Sequence, residues 1–201
     1  PSSEELDHDY LWRNFKVLPR RGHIGIFNRS YYEEVLVVRV HPGILQGQKI
    51  PPHLKDKNIF KRRFEEINNF ETYLVNNGIV VLKFFLNVSK EEQKERFLER
   101  VDRPEKNWKF SAADVRERQH WDDYMAAYQD MFNHTSTKWA PWYVVPADHK
   151  WFTRLAVASI IHQTLDGLNL SYPAVTEKQK QELLTARAEL ENEDGGPKPD
   201  K

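Results

Sequence analysis

The sequence contains no cysteine, which excludes disulfides and thiolate metal sites and fits a reducing compartment such as the cytoplasm. It also carries no net charge. Thirty basic and thirty acidic side chains cancel, which argues against a protein that grips nucleic acid through a global positive field. A local basic groove, balanced by acidic helices elsewhere, stays open. No apolar run approaches the roughly 20 residues of a membrane-spanning helix, and no signal-peptide pattern opens the chain. The eight histidines form no HxxxH or HxH pair and no Ser-His-Asp arrangement is evident, so neither a zinc site nor a hydrolase triad is assigned. GxxxxGK(S/T) is missing too, so the backbone cradle that such a loop provides for phosphates is not among these residues. That absence, together with a sheet of only three expected strands, is explained if a strand, a Gly-rich loop, a helix and another strand lie upstream of Pro1, which is not a Met.

What is present describes a folded domain. The 201 residues are 39% hydrophobic and include six Trp, eleven Phe and eight Tyr, enough for one real core. Residues 4–16 have helical spacing at Leu6, Tyr10, Leu11 and Phe15. Residues 23–27 read as a short buried strand, 31–40 as a helix under the site, and 42–52 as a surface loop. Residues 57–77 carry an apolar stripe closed by Gly78. The nearly continuous apolar run 79–88 suits a central parallel strand covered on both faces. Ser89 with Glu92 gives a capping box that opens a helix to about Arg100, Pro104 interrupts, and a helix follows from Ser111 through Phe132. A strand at 142–145, a helix from Asp148 to Leu168, a charged helix at 177–191 and a disordered end at 194–201 complete the reading. This rhythm is that of an open α/β sheet with crossover helices, whose ligands sit beyond the carboxyl ends of the strands.

At one such end, Asn28-Arg29-Ser30 offers an amide oxygen for hydrated magnesium and a guanidinium that can clamp phosphate oxygens. The bland alternative makes Asn28 a helix cap and Arg29 a surface ion pair. The segment 96–109 gathers Arg96, Arg100, Arg103, Lys106 and Lys109 around Pro104, as a phosphate-covering lid would, or as a solvated loop paired with Glu95, Glu99 and Glu105. Lys138, Lys150 and Arg154 could extend an anion track, while Trp139 and Trp142 fit a core seal equally well. Lys83 and Arg39, each set in an apolar run, need either a buried partner or an exit to solvent.

Read in order, Glu5-Leu6-Asp7-His8-Asp9-Tyr10-Leu11-Trp12-Arg13 and Gly22-His23-Ile24-Gly25-Ile26-Phe27-Asn28-Arg29-Ser30-Tyr31-Tyr32-Glu33 resemble the polyphosphate kinase 2 family. The resemblance continues through Val80-Val81-Leu82-Lys83-Phe84-Phe85, residues 93–103, Pro104-Glu105-Lys106-Asn107-Trp108-Lys109-Phe110-Ser111 and Thr137-Lys138-Trp139-Ala140-Pro141-Trp142. It implies an α/β, P-loop-kinase-like three-layer sandwich with a parallel central sheet and a helical lid at about 96–116. Residues 1–172 would form the carboxyl part of that domain and 173–201 a charged tail. The implied activity moves a phosphoryl group between inorganic polyphosphate and a nucleoside mono- or diphosphate (ADP/GDP or AMP/GMP), with magnesium. Asn28 falls where the family usually has an acidic residue on the metal, and Arg29 matches its neighbouring arginine. Arg100 matches a phosphate-contacting lid arginine. Glu33, Arg103, Lys106 and Lys109 are implied as further binding residues. Glu33 also resembles the subgroup that accepts monophosphates. No partner nucleic acid or membrane is implied, and exposed aromatics around Trp139 and Trp151 suit a homo-oligomer. An ATP-dependent nucleotide kinase and a non-catalytic nucleotide- or polyphosphate-binding protein stand as the alternatives.

Overall fold

The computed structural model describes residues 1–193 and separates into two units, Pro1–Val157 and a second that begins at Ala158. In chain order the first carries α1 (Ser3–Asp7), α2 (Trp12–Phe15), a 3-10 turn (Tyr31–Val35), α3 (Val37–Val40), α4 (Pro42–Gly47), α5 (Ile59–Asn76) and β1 (Lys83–Asn87). It continues with α6 (Lys90–Asp102), a 3-10 segment (Pro104–Lys109), α7 (Ala112–Glu117), a 3-10 turn (Arg118–His120), α8 (Trp121–Thr135) and β2 (Trp142–Pro146). α9 (Lys150–Gly167) crosses the division, and α10 (Glu177–Glu193) lies in the second unit. The tail expected to be disordered, 194–201, is outside the described residues.

The stripe predicted at 57–77 forms α5, whose Ile59, Phe64, Ile67, Phe70 and Leu74 are buried. Gly78 ends the helix at φ +79, a left-handed conformation that a Cβ would disfavour, and Ile79 N–H donates back to the Leu74 carbonyl at 3.1 Å. Phe64 and Ile67 pack with Tyr32, Val35 and Leu36 and with Ala127 and Met131 of α8, forming the main core. Burying each such large side chain contributes about 1.5–3 kcal/mol. Ser89 caps α6 as expected, accepting from Glu92 N–H at 3.1 Å.

Lys83 resolves its conflict with the apolar run by finding buried partners. Its ammonium donates to Glu71 Oε2 at 2.6 Å, to the Tyr32 hydroxyl at 2.8 Å and to the Thr135 carbonyl at 2.8 Å. Tyr31 and Tyr32 donate to the other Glu71 oxygen at 2.9 and 2.7 Å. Burial pulls the Lys83 ammonium below its ordinary pKa, and the Glu71 charge and hydrogen bond oppose that pull. Arg39 pairs with Asp130 of α8 while staying partly exposed.

Several expectations are corrected. Among the described residues the sheet holds two strands, not three, with β1 parallel to β2 in a register from Lys83↔Trp142 to Asn87↔Pro146. Residues 23–27 are not a buried strand: Ile24 and Ile26 are 71% and 90% exposed, and no described segment supplies a ladder there. Apolar side chains create a demand for burial, but a strand also needs a neighbour for its backbone groups. β1 begins only at Lys83, because continuing the register would set Leu82 opposite Pro141, which has no N–H to give. Nor is β1 covered on both faces, since Leu86 is 49% exposed.

Residues 42–47 form a helix rather than a loop, with Pro42 in its first turn, where a fixed φ is pre-organised and the missing donor costs nothing. The helix expected over 4–16 breaks between α1 and α2, where the Asp9 carboxylate accepts from Leu11 N–H at 2.9 Å and offers the backbone a local alternative. The one expected through Phe132 is interrupted at Arg118–His120.

Candidate functional site

Parallel pairing brings the carboxyl ends of β1 and β2 side by side at Asn87 and Pro146. Two connections lock the turns beyond these strand ends. Ser89 N–H donates to Asp148 Oδ1 at 2.7 Å, so Asp148 serves the neighbouring strand end instead of opening its own helix. Arg96 donates to the Ala147 and Asp148 carbonyls at 2.8 and 3.0 Å and to Glu92 at 2.7 Å. Arg96 is thereby a strut between α6 and the turn into α9. The Ser89 N–H also holds the Asp148 carboxyl below the usual carboxylate range.

Pro104 ends α6, and Asn107 closes the break by donating from Nδ2 to the Arg100 and Val101 carbonyls, each at 2.8 Å. The chain therefore doubles back beside the last turn of α6. A groove of about 250 Å³ results, lined by Arg96, Glu99, Arg100, Lys106, Lys109 and Lys150. Five cations face one carboxylate. Arg100 lies 4.0 Å from Asp114, and Lys109 sits 4.8 Å from the Trp108 ring centroid. Such a basic concavity at strand carboxyl ends is chemically suited to an anion with several charged oxygens. Glu99 accepts from Lys106 and, at 3.0 Å, from Arg103. Those two bonds hold its carboxyl below the ordinary range.

Asn28, Arg29 and Glu33 form a separate cluster. Arg29 has φ +68, a conformation a non-glycine residue adopts at some cost, and its side chain is 79% exposed. It pairs with Glu33 at 3.6 Å. Ser30, rather than Asn28, caps the following 3-10 turn, accepting from Tyr32 N–H at 3.4 Å. Burial, then the Glu33 charge, push the Tyr128 hydroxyl up, while Arg29 opposes them.

Of the residues singled out from sequence, Arg96, Arg100, Lys106, Lys109 and Lys150 line the groove, while Arg103 turns to Glu99 and Glu105. Asn28, Arg29 and Glu33 do not line it. Sequence reasoning does not find Asp148 as an anchor, nor Glu71 as the partner of Lys83. Glu71 is within its reach: it lies four residues after Ile67, on the buried stripe of α5.

At the far end of the basic segment, Glu117 accepts from Tyr124 and lies 2.6 Å from His41 Nε2. The Tyr124 bond, then the His41 bond, lower the Glu117 carboxyl from its ordinary 4.5. A carboxyl lowered on folding contributes stability that is present above the ordinary value and lost as pH falls through the folded one. Protection of the amides over 112–120, corrected for intrinsic exchange, is therefore expected to fall on acidification past that point. Glu117→Gln should remove the pH step. A step that survives in the variant would assign it to another group.

Known proteins are similar to this chain in sequence and in fold. A family model described as polyphosphate kinase 2 matches residues 1–173. An ADP-polyphosphate phosphotransferase of Rhodopseudomonas palustris is 53% identical over 191 residues, which is 94% of this chain and 66% of the relative. An AMP/ADP-polyphosphate phosphotransferase of Meiothermus ruber is 44% identical over 173 residues, 86% of this chain and 61% of the relative. The crystal structure of polyphosphate kinase 2 from Arthrobacter aurescens TC1 matches with a TM-score of 0.82 at 42% identity, covering 92% of this chain and 62% of that one. The chain thus spans just under two thirds of these relatives' lengths.

Proposed function

Because the chain belongs to the polyphosphate kinase 2 family, we propose that it belongs to an enzyme moving a phosphoryl group between inorganic polyphosphate and a nucleoside mono- or diphosphate. The observation that carries this reading is the groove in which Arg100, Lys106, Lys109 and Lys150 face one cavity beyond two parallel strand ends. Phosphoryl transfer depends chiefly on positioning and charge neutralisation, and these cations suit both tasks. Arg29 would clamp the transferred group and Arg100 would share its charge. Arg103 is held by Glu99 and Glu105 and would support the flap. Glu33 would orient Arg29 and border the nucleotide. The names of the two phosphotransferase relatives support polyphosphate with AMP or ADP as substrates.

Magnesium fits this reading as an ion carried mainly by phosphates. Among the described residues no group of three or more His, Asp or Glu side chains gathers as a metal site. Asn28 is exposed and would add one hard oxygen, directly or through water, as suits an ion that keeps most of its own shell. When bound, the ion would neutralise charge on the phosphates. The three-layer, P-loop-kinase-like sandwich, a cytoplasmic location and a homo-oligomer belong to the same reading. The likeness to the solved family structure supports the first, the lack of cysteine the second, and the exposed Trp139 and Trp151 the third. No helix among the described residues is long and apolar enough to cross a membrane.

Donor choice tests the reading. With AMP or ADP as acceptor, polyphosphate as sole donor is expected to yield the next higher phosphate, detected by chromatography. ATP as sole donor for AMP should give much less. Transfer from ATP alone would favour an ordinary nucleotide kinase. Binding without turnover from either donor would favour a non-catalytic binding protein.

A further inference from the structure

Resting on the anion-groove reading, we propose that Glu99 is a built-in counter-anion that occupies the phosphate-binding face of Lys106 and must be displaced when a polyanion enters. The groove has one acidic lining residue, and that residue already neutralises a groove cation. Glu99 Oε1 receives Lys106 and, at 3.0 Å, Arg103 Nη1. The remaining cations are treated differently. Arg96 is consumed by Glu92 and by two main-chain carbonyls. Lys109 and Lys150 have no carboxylate within ion-pair distance among the described residues, and Arg100 has only Asp114, at the 4.0 Å limit.

The groove cations thus divide into Arg100, Lys109 and Lys150, ready for an incoming oxygen, Arg96, held as a strut, and Lys106, held by the one acidic residue of the lining. Glu99 sits in the last turn of α6, and Lys106 lies in the 3-10 segment beyond Pro104. Their contact therefore also ties the flap back onto its own helix. An incoming phosphate faces two terms at this spot: repulsion from the Glu99 carboxylate and competition for the Lys106 ammonium. Glu99 also holds Arg103, so displacing it from Lys106 leaves the carboxylate an alternative partner. The consequence is discrimination by charge. A ligand with few negative charges can use Lys109 and Lys150 alone. One long enough to reach Lys106 as well must outcompete Glu99, and only a chain of several phosphates has charge to spare for that.

The test is titration calorimetry with inorganic tripolyphosphate as the probe, on the wild-type chain, Glu99→Gln and Lys150→Ala. Gln is nearly isosteric and the site is solvent-exposed, so the fold should persist, which far-UV circular dichroism checks. Removing the competitor is expected to tighten tripolyphosphate binding by about three- to fivefold, the scale of one exposed ion pair. Binding should also become more sensitive to salt, because the groove then carries one negative charge fewer and attracts the anion more strongly. Inorganic monophosphate, too short to span the groove, should show little change. Lys150→Ala serves as the control, because that cation has no acidic partner among the described residues, so its loss should weaken binding whatever Glu99 does. If Lys150→Ala weakens binding and Glu99→Gln leaves it unchanged or weaker, the role given to Glu99 is wrong while the groove stands. If Lys150→Ala has no effect, the groove reading fails and takes this inference with it.

Discussion

Replacing Arg29 with Ala is expected to lower phosphoryl transfer by about a thousandfold or more, the scale on which a single guanidinium supports such reactions. The unfolding transition should barely move. The side chain is 79% exposed and its acidic partner, Glu33, lies 3.6 Å away, so the variant loses an ion pair of little structural consequence. The backbone at this position has φ +68, a cost that Ala would still bear and that Gly would relieve. Arg29→Gly should therefore be as inactive as Arg29→Ala yet slightly more stable, which separates the chemistry from the strain. Arg29→Lys keeps the charge but loses the planar fork, and should recover only part of the rate. Single-turnover transfer measured beside urea unfolding decides the matter. Near-wild-type turnover in Arg29→Ala would remove this residue from the mechanism.

The second large effect falls on stability. Lys83→Met is expected to destabilise the fold by about 3–5 kcal/mol, because it strands the Glu71 carboxylate in a buried site with only two tyrosine hydroxyls to donate to it. Lys83 and Glu71 are 5% and 0% exposed, so neither charge can turn to water without opening the core. The Met variant also leaves the Thr135 carbonyl without its ammonium donor. Adding Glu71→Gln should restore much of the loss, since the amide oxygen still accepts from Tyr31 and Tyr32 and the uncompensated charge is gone. Urea midpoints of the two single variants and the double form the required cycle. A loss below about 1 kcal/mol in Lys83→Met would mean that water or a rearranged Tyr32 satisfies Glu71, and the network would then not pin the strand.

These two variants probe opposite ends of the architecture. Lys83 opens β1 at its amino end, where α5, α8 and the 3-10 turn meet, and the network there fixes the strand against the core. Beyond the carboxyl end, Asp148 and Arg96 tie the neighbouring turns together, and the groove cations project from α6, the 3-10 segment after Pro104 and the start of α9. Stability and anion binding should therefore respond to different substitutions.

Much of this is legible in the chain. The stripe of α5, its stop at Gly78, the Ser89 cap, the break at Pro104 and the strand at Trp142–Pro146 come from spacing, capping chemistry and a missing N–H. The groove cations Arg100, Lys106 and Lys109 can be named because basic residues crowd around Pro104. Residues 23–27 mislead because apolar composition looks the same in a paired strand and in an exposed extended segment.

The sequence by itself therefore determined the long helices α5 and α6, the residues that start and stop them, and the inventory of charges, since each depends on neighbours within a few residues along the chain. Only the tertiary structure decided which charge meets which. It set Glu71 under Lys83, Asp148 on the Ser89 amide, and Glu99 between Lys106 and Arg103. The physical reason is that an ion pair or a ladder bond depends on distance in space, and that distance is set by how whole elements pack.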